Sequence, residues 1–136
     1  MIVKLDTATI HHITLFEDIT KAKVKDCIEQ EEKIVFVVNE GELGLAIGKE
    51  SRNLKMLKSI LKKNIDVIEY SDDPAQFIKN IFHNYKVKEV RLSEERTEVV
   101  IDPTDKARAI GKSGRNLRVA REIAQRHHGI QSMVIR

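Results

Sequence analysis

The sequence predicts an α+β protein made of two copies of one small unit, and two observations lead to that prediction. The segment AIGKESRNL at 46–54 recurs as AIGKSGRNL at 109–117, with seven of nine positions identical. At the same offset of sixty-three residues, thirteen of thirty-two positions in 23–54 and 86–117 match without a gap. Because this period is longer than the roughly 20–50 residues of solenoid repeats, we expect two domains in tandem.

The boundary between the copies is predicted at the polar stretch SDDP, residues 71–74. Its proline suits the first turn of a helix, where the missing N–H costs nothing. We therefore expect one domain at 1–72 and a second at 73–136. Units of this size can fold alone but bury little surface. A hydrophobic fraction of 41% and a charged fraction of 33% are typical of a globular protein rather than a disordered one.

The sequence pattern predicts the same order of elements in each copy: a helix, two strands, two helices joined by the repeated turn, and a last strand. Val, Ile and Phe enrichment favours the strands, and a short polar break favours a hairpin between the first two. In the first copy the predicted elements are a helix at 7–18 and strands at 23–28, 33–38 and 65–70. In the second copy they are a helix at 74–83 and strands at 86–92, 97–101 and 130–135. This order gives a three-stranded sheet with helices on one face.

The helix after each turn is predicted to have one apolar face. Leucines at i, i+3 and i+7, with an isoleucine beside them, mark that face in the first copy, and the second copy repeats the stripe at the same offset. The residues are Leu54, Leu57, Ile60 and Leu61, and then Leu117, Ala120, Ile123 and Ala124. This pattern predicts an amphipathic helix that packs through one face.

The repeated turn has the properties of a loop that binds phosphate. Gly48 and Gly111 can adopt positive φ, and their missing side chains let a phosphodiester approach the backbone. The following helix points its first N–H groups and the positive end of its dipole into the same space. A lysine, an arginine and an asparagine follow each glycine as further ligands. None of these groups is a nucleophile or an acid–base pair, so no catalysis is predicted.

Two better-known phosphate loops do not fit the sequence. A P-loop requires Gly-x-x-x-x-Gly-Lys-Ser/Thr, but the position of its first glycine is Lys106 in the second copy and Leu43 in the first. In the first copy Glu50 also replaces the Ser/Thr. The Gly-x-Gly-x-x-Gly of dinucleotide-binding proteins is absent from the sequence. The turn therefore suits a nucleic-acid backbone better than a bound nucleotide.

The second copy of the turn carries a family resemblance. The segment IGKSGRN at 110–116 resembles the Gly-x-x-Gly loop of KH domains, and the order of elements matches their prokaryotic (type II) arrangement. Further segments resemble the NusA-type tandem KH pair in its short archaeal form. They are FEDIT at 16–20, VKDC at 24–27, GLAIGK at 44–49 and RHHGI at 126–130. The resemblance implies a factor that binds single-stranded RNA and takes part in transcription elongation, termination or antitermination.

Carried onto this chain, the resemblance places the RNA contacts at two loops, each of which would clamp about four backbone nucleotides. At the second loop the residues are Gly111, Lys112, Ser113, Gly114, Arg115, Asn116 and Arg118. At the first loop they are Gly48, Lys49, Glu50, Ser51, Arg52 and Asn53. The first loop departs from the family pattern, because Ser51 replaces the second glycine and Glu50 introduces a carboxylate.

Two interpretations of the first loop stay open. Either Ser51 caps the next helix and leaves a weakened binding site, or the first domain binds in another way or is mainly a structural partner. Residues 1–70 hold 11 Lys and Arg against 12 Asp and Glu, a net charge of −1. Residues 71–136 hold 13 against 9, a net charge of +4. An anionic partner is therefore expected mainly on the second domain.

Other classes of site have little support in the sequence. The pairs His11-His12 and His127-His128 have no carboxylate or cysteine at ligand spacing, so we expect no metal and no other cofactor. The lone cysteine, Cys27, excludes an intramolecular disulfide and is expected in the core. No aromatic residue lies in either loop, so RNA is not expected to stack on an aromatic platform.

The sequence leaves two candidate functions, both non-enzymatic. The first is a monomeric, single-stranded RNA-binding transcription factor led by its second domain. The second is a protein-interaction adaptor that docks on RNA polymerase or the ribosome and uses the loops only as turns, which Glu50 and the acidic first half favour. Bacterial relatives carry an added OB-type domain and a polymerase-binding region, and we expect neither in 136 residues.

The expected location is the cytoplasm, without a membrane partner. The longest strongly apolar run, at 34–38, is far shorter than the ~20 residues that span a membrane. Residues 1–6 lack the apolar core of a signal peptide.

Overall fold

The computed structural model describes residues 6–136, and residues 1–5, where we expected no signal peptide, lie outside the described part. The contacts divide the chain into two compact units, with the division between Ser71 and Asp72. Each unit follows the predicted order of helices and strands. Within residues 6–136, no helix has both the length and the apolar character that crossing a membrane requires.

The first unit contains the helix, hairpin, helix pair and last strand that the sequence predicts. Its elements are α1 (Thr7–Thr20), β1 (Val24–Glu29), β2 (Lys33–Val38), α2 (Leu43–Ile47), α3 (Arg52–Leu61) and β3 (Asn64–Glu69). A 3-10 turn at Lys49–Ser51 joins α2 to α3. In the sheet, β2 lies at the centre, antiparallel to β1 and parallel to β3.

The core of the first unit joins the sheet to its helices. Phe16 of α1 stacks on Phe36 of β2 with ring centroids 4.2 Å apart, and both side chains are fully buried. Leu57 of α3 is buried in the same core, and Leu54 and Leu61 pack against it. The predicted apolar face of α3 is thus confirmed at its three leucines.

One residue of the predicted stripe does not reach this core. The side chain of Ile60 is 51% exposed, so its expected place on the buried face is wrong. Ile60 lies about 60° around the helix from Leu57, on the side opposite to Leu54. The corresponding Ile123 in the second unit is fully buried. The repeated isoleucine therefore has different surroundings in the two units, a difference that the sequence pattern does not contain.

The second unit repeats the architecture of the first. Its elements are α4 (Pro74–Ile81), β4 (Val87–Arg91), β5 (Thr97–Ile101), α5 (Pro103–Ile110), α6 (Arg115–His128) and β6 (Met133–Ile135). A 3-10 turn at Lys112–Gly114 joins α5 to α6. The central strand β5 is antiparallel to β4 and parallel to β6. Both described sheets therefore have three strands in the same order.

Aspartate–proline pairs start two helices of the second unit. Pro74 and Pro103 stand in the first turns of α4 and α5. The preceding residues, Asp73 and Asp102, each accept a hydrogen bond from the backbone N–H two residues later, at 3.2 Å and 3.0 Å. The carboxylate satisfies an N–H group that the helix leaves unpaired, and proline lacks the N–H that would also be unpaired. The predicted helix start at Pro74 is confirmed.

The last strand is shorter than the sequence predicts. Helix α6 ends at His128, and Gly129 follows as its C-cap with a φ of 65°. Residues 130–132 form a loop, and β6 begins only at Met133. An apolar residue that follows a helix end, such as Ile130, has the same sequence pattern as the first residue of a strand. Periodicity alone therefore placed the strand start too early.

Cys27 is a core residue, as predicted. It lies on β1 and its side chain is 6% exposed. Burial, followed by the nearby carboxylates of Asp26 and Glu29, raises the pKa of its thiol to about 12. Because the thiolate is the reactive form of cysteine, the folded protein holds this side chain in an unreactive state.

We predict that Cys27 resists iodoacetamide at about pH 8 in the folded protein and reacts after unfolding.

The raised pKa of Cys27 also makes the stability of the protein depend on pH. As the pH rises above 9.0, the unfolded thiol ionises while the folded thiol stays protonated until about 12, so the free energy of unfolding falls. Urea unfolding across this range measures the effect, and Cys27→Ala should show a weaker pH dependence. Equal pH dependence of the two proteins would contradict the prediction.

Candidate nucleic-acid interface

The two Gly-Lys loops have the same backbone conformation. Gly48 has φ 76° and ψ 168°, and Gly111 has φ 80° and ψ 167°. The third and fourth positions of both loops are left-handed. They are Glu50 (φ 56°), Ser51 (59°), Ser113 (58°) and Gly114 (73°). The differences in sequence between the loops therefore leave their shape unchanged.

A close contact across each loop requires the first glycine. A Cβ atom on Gly48 would lie 2.8 Å from Nδ2 of Asn53. A Cβ atom on Gly111 would lie 2.9 Å from Cγ of Asn116. These distances are shorter than any normal carbon contact, and the positive φ adds strain for every residue with a Cβ. Glycine at the start of the turn is therefore a requirement of the fold, whatever the loop binds.

The same asparagines connect the helices on either side of each loop. Nδ2 of Asn53 donates to the carbonyl of Leu45 on α2 at 3.0 Å, and Nδ2 of Asn116 donates to the carbonyl of Arg108 on α5 at 2.9 Å. Asn116 also donates to the hydroxyl of Tyr85 at 3.3 Å. The expected contact of both asparagines with RNA stays a prediction, whereas these hydrogen bonds show a role within the fold.

Ser51 does not cap α3 in the way that one interpretation of the first loop requires. It stands at the N-cap position, but within the described residues its side chain makes no capping hydrogen bond. Its left-handed backbone costs a residue with a Cβ about 1 kcal/mol relative to glycine. The first loop therefore has the same backbone shape as the second, although Ser51 is strained at a position where glycine would not be.

Some of the backbone N–H groups that could face a ligand are already used. The N–H of Ser51 donates to the carbonyl of Gly48 at 3.2 Å, and the N–H of Gly114 donates to that of Gly111 at 3.0 Å. The same 3-10 hydrogen bond recurs one residue later in both loops. A phosphate at either loop would thus depend on the lysine and arginine side chains and the helix dipole more than on these amides.

Arginines of α6 reach back to the loop and across to the sheet. Arg118 donates to the carbonyl of Ser113 at 2.9 Å, so this side chain holds the loop that precedes it. Nearly one turn further along, Nε of Arg121 donates to the carbonyl of Met133 at 2.9 Å. Because β6 is an edge strand, Arg121 spans the space between the helix and the open edge of the sheet. The sequence showed a basic helix but not this contact, which depends on tertiary structure.

The net charge of the first half conceals a basic segment at the first loop. Residues 49–63 hold six Lys and Arg and one Glu, whereas the remainder of residues 1–70 holds five Lys and Arg and eleven Asp and Glu. At the same offset, residues 112–126 hold five Lys and Arg and one Glu. The two loop–helix segments are therefore almost equally basic. At the first loop, one open surface depression is lined by Lys49, Glu50, Arg52 and Lys55.

The histidine pairs have contacts of their own within each unit. Nε2 of His12 lies 3.1 Å from the carboxylate of Glu29, which also pairs with Lys63 at 2.7 Å. Hydrogen bonds from Lys63 and then His12 hold the pKa of Glu29 below its usual value. In the second unit, the rings of His127 and His128 lie 5.7 Å and 5.3 Å from the ring of Phe77. These contacts give His12, His127 and His128 a structural role.

Comparison with known proteins identifies the family. The KH domain family matches residues 11–72, and the family of NusA-like second KH domains matches residues 74–133. Over 99% of its length the chain is 40% identical to the probable transcription termination protein NusA of Methanococcus vannielii, of which it covers 80%. It is 31% identical over 98% of its length to the protein of the same name from Thermoplasma acidophilum, of which it covers 96%. The crystal structure of APE1850 matches 97% of the chain, and all of its own, with a TM-score of 0.74 and 35% identity.

The chain belongs to the archaeal NusA-like family of tandem KH proteins. The resemblance carried by the loop and its flanking segments is thereby confirmed, and so is the α+β fold with two KH domains. In KH terms, residues 111–114 form a complete Gly-x-x-Gly loop. Residues 48–51 form the same loop with serine at the second glycine. The contact of individual loop residues with RNA stays a prediction.

We predict that Gly48→Ala destabilises the first KH domain by about 2 kcal/mol or more, because the new Cβ would meet Asn53 and the left-handed backbone is strained. Gly44→Ala is the matched control. Gly44 lies in α2 without a positive φ, and a Cβ at this position would have no described heavy atom within 4 Å beyond its own helix. This control should be neutral or stabilising by up to about 1 kcal/mol. Urea unfolding measures both, and equal stability of the two variants would contradict the proposed contact.

Proposed function

We propose that this protein binds single-stranded RNA through its two Gly-Lys loops and acts in transcription termination or elongation. The main support is that two KH domains present the same left-handed loop, each at the start of a basic helix. KH domains hold single-stranded RNA by clamping about four backbone nucleotides at such a loop. The relatives from Methanococcus vannielii and Thermoplasma acidophilum are named as probable transcription termination proteins, which supports the role in transcription.

The proposed clamp acts on the RNA backbone through shape and charge. Gly111 leaves space for a phosphodiester next to the main chain. Lys112 is exposed at the loop, Arg115 begins α6, and the helix dipole adds positive potential at the same point. Arg118 holds the carbonyl of Ser113, so the loop is ordered before RNA arrives. The proposed role is binding and involves no catalysis.

We assign the larger share of the affinity to the second loop. The reason is Glu50, an exposed carboxylate at the position that Ser113 occupies in the second loop. A carboxylate beside a phosphate is repulsive by about 1 kcal/mol at 4 Å in water. Because the two loop–helix segments are otherwise almost equally basic, we attribute the difference to this single charge. We thus retain a weakened binding site at the first loop, although Ser51 does not cap α3.

RNA polymerase is the protein partner that fits a role in termination, since nascent RNA is single-stranded where it leaves that enzyme. We propose that the protein acts there as a monomer in the cytoplasm. Two KH domains on one chain already provide two contacts for one RNA strand, and linking them raises the effective concentration at the second contact. A second copy of the chain is therefore not needed for this function.

We predict that Lys112→Asp with Ser113→Asp weakens binding of an unstructured RNA about 100-fold or more, because one cation is lost and two anions are gained near the phosphates. Lys49→Asp with Glu50→Asp gives the first loop the same Gly-Asp-Asp sequence and should weaken binding less. Fluorescence anisotropy measures the affinities, and circular dichroism checks the fold. Unchanged affinity in the folded second-loop variant would refute the proposed site.

We also predict that the RNA affinity of the wild-type protein falls as the salt concentration rises, because phosphate contacts release counterions.

The first loop allows a test by gain of affinity. Glu50→Ser with Ser51→Gly copies the second loop into the first and should raise RNA affinity about three- to tenfold, because the carboxylate is removed. Glycine at position 51 should also raise the free energy of unfolding by up to about 1 kcal/mol, since it relieves the left-handed strain. Glu50→Ser alone separates the charge effect from the backbone effect. Unchanged affinity in both variants would show that the first loop does not meet RNA.

A further inference from the structure

We propose that the outer flank of α3, formed by Met56 and Ile60, is a docking surface for an acidic protein segment with an apolar face. The side chain of Met56 is 45% exposed and that of Ile60 is 51% exposed. The two residues are four positions apart, so they are neighbours on the helix surface and form one apolar stripe. Neighbouring exposed apolar side chains are a better indication of an interaction site than scattered single ones.

The second KH domain shows that residues at these positions are able to be buried. Val119 and Ile123 occupy the corresponding positions on α6 and are 9% and 0% exposed. In the first domain the same two positions keep large apolar side chains but remain in solvent. A solvent-exposed helix surface has no need of methionine and isoleucine, since polar residues would serve equally well there. A partner that covers this flank explains the apolar residues.

This flank lies away from the side of the helix that faces the sheet edge. On α6, the side that faces the sheet edge is marked by Arg121, which bonds to the carbonyl of Met133 on β6. The corresponding position on α3 is Lys58, two residues after Met56 and two before Ile60. At 3.6 residues per turn, both apolar side chains are about 160° around the helix from Lys58. RNA that follows the Gly-Lys loop and the lysine side of α3 would leave Met56 and Ile60 uncovered.

The charge of α3 defines the chemistry of the partner. The helix carries three cations and no acidic residue. Arg52 precedes Met56 by four positions, so the apolar stripe continues into a guanidinium group. A segment that buries Met56 and Ile60 must place a carboxylate beside Arg52, because desolvating this cation without a partner is costly. Methionine adapts its shape to different apolar partners. RNA would match the charge but offers no aliphatic surface, so an acidic protein segment fits both properties.

The methyl group of Met56 allows a direct test on the full chain. The chain has three methionines, and a spectrum of the ¹³C-methyl-labelled protein assigns Met56 by the loss of its signal in Met56→Ser. A library of displayed random peptides is selected on the protein, and the selected peptides are titrated. We expect acidic peptides with apolar residues four apart, a shift of the Met56 signal, and at least tenfold weaker binding to Met56→Ser with Ile60→Ser. Leu92→Ser is the control, because Leu92 is exposed to the same degree, 47%, in the other domain.

Three results would overturn this proposal. One is selection of no peptide, or only of peptides whose affinity the double variant does not change. Another is weaker binding of unstructured RNA by Met56→Ser with Ile60→Ser than by Leu92→Ser, which would assign the flank to RNA. The third is a shift on raising the protein concentration alone, which would assign the flank to a second copy of the chain. Because peptide and RNA are titrated separately, failure of RNA binding would count against the proposed function without affecting this surface.

Discussion

The asparagine beneath each Gly-Lys turn is the contact on which the shape of both loops depends. Its amide bonds to a carbonyl in the last turn of the preceding helix, and its side chain fills the space where a glycine Cβ would lie. The asparagine side chain thus holds the two helices close together and requires glycine at the first position of the turn. This constraint explains why Gly48 and Asn53 have identical counterparts in the second copy, whereas the two positions after the lysine differ.

The same constraint lets the first loop change its chemistry without changing its shape. Once the flanking helices are held by Asn53 and by the packing of Leu57, the intervening residues must follow the path that remains. Glu50 and Ser51 accept left-handed backbone at a cost of about 1 kcal/mol each, which the surrounding contacts outweigh. A difference in RNA affinity between the loops would then come from the charge of Glu50 and not from a deformed backbone.

The parts of this structure that depend on local sequence could be predicted, and the parts that depend on distant contacts could not. The strands apart from the start of β6, the helix start at Pro74 and the two glycine turns follow from patterns of neighbouring residues. The exposure of Ile60 does not, because its pattern is the same as that of Ile123 and only the surroundings differ. The contacts of Arg121 with β6 and of Asn116 with Tyr85 join residues 12 and 31 positions apart, for which no local signal exists. Net charge summed over each half conceals the basic segment at 49–63, because its cations are offset by carboxylates elsewhere in residues 1–70.

The distribution of charge within the first domain is relevant to the two ligands that we propose for α3, RNA and an acidic protein segment. In residues 1–70, eleven carboxylates lie outside residues 49–63 and one lies inside, so this segment has a net positive charge and the remainder a net negative one. An anionic ligand is therefore attracted to this helix and repelled by much of the remaining surface. The two sides of α3 differ in the chemical groups that they offer to such a ligand. The side with Lys58 offers cations alone, whereas the side with Met56 and Ile60 adds aliphatic surface that only a partner with apolar side chains can cover. In the functions that we propose, apolar surface would distinguish a protein partner from nucleic acid on this helix, a distinction that charge alone could not make.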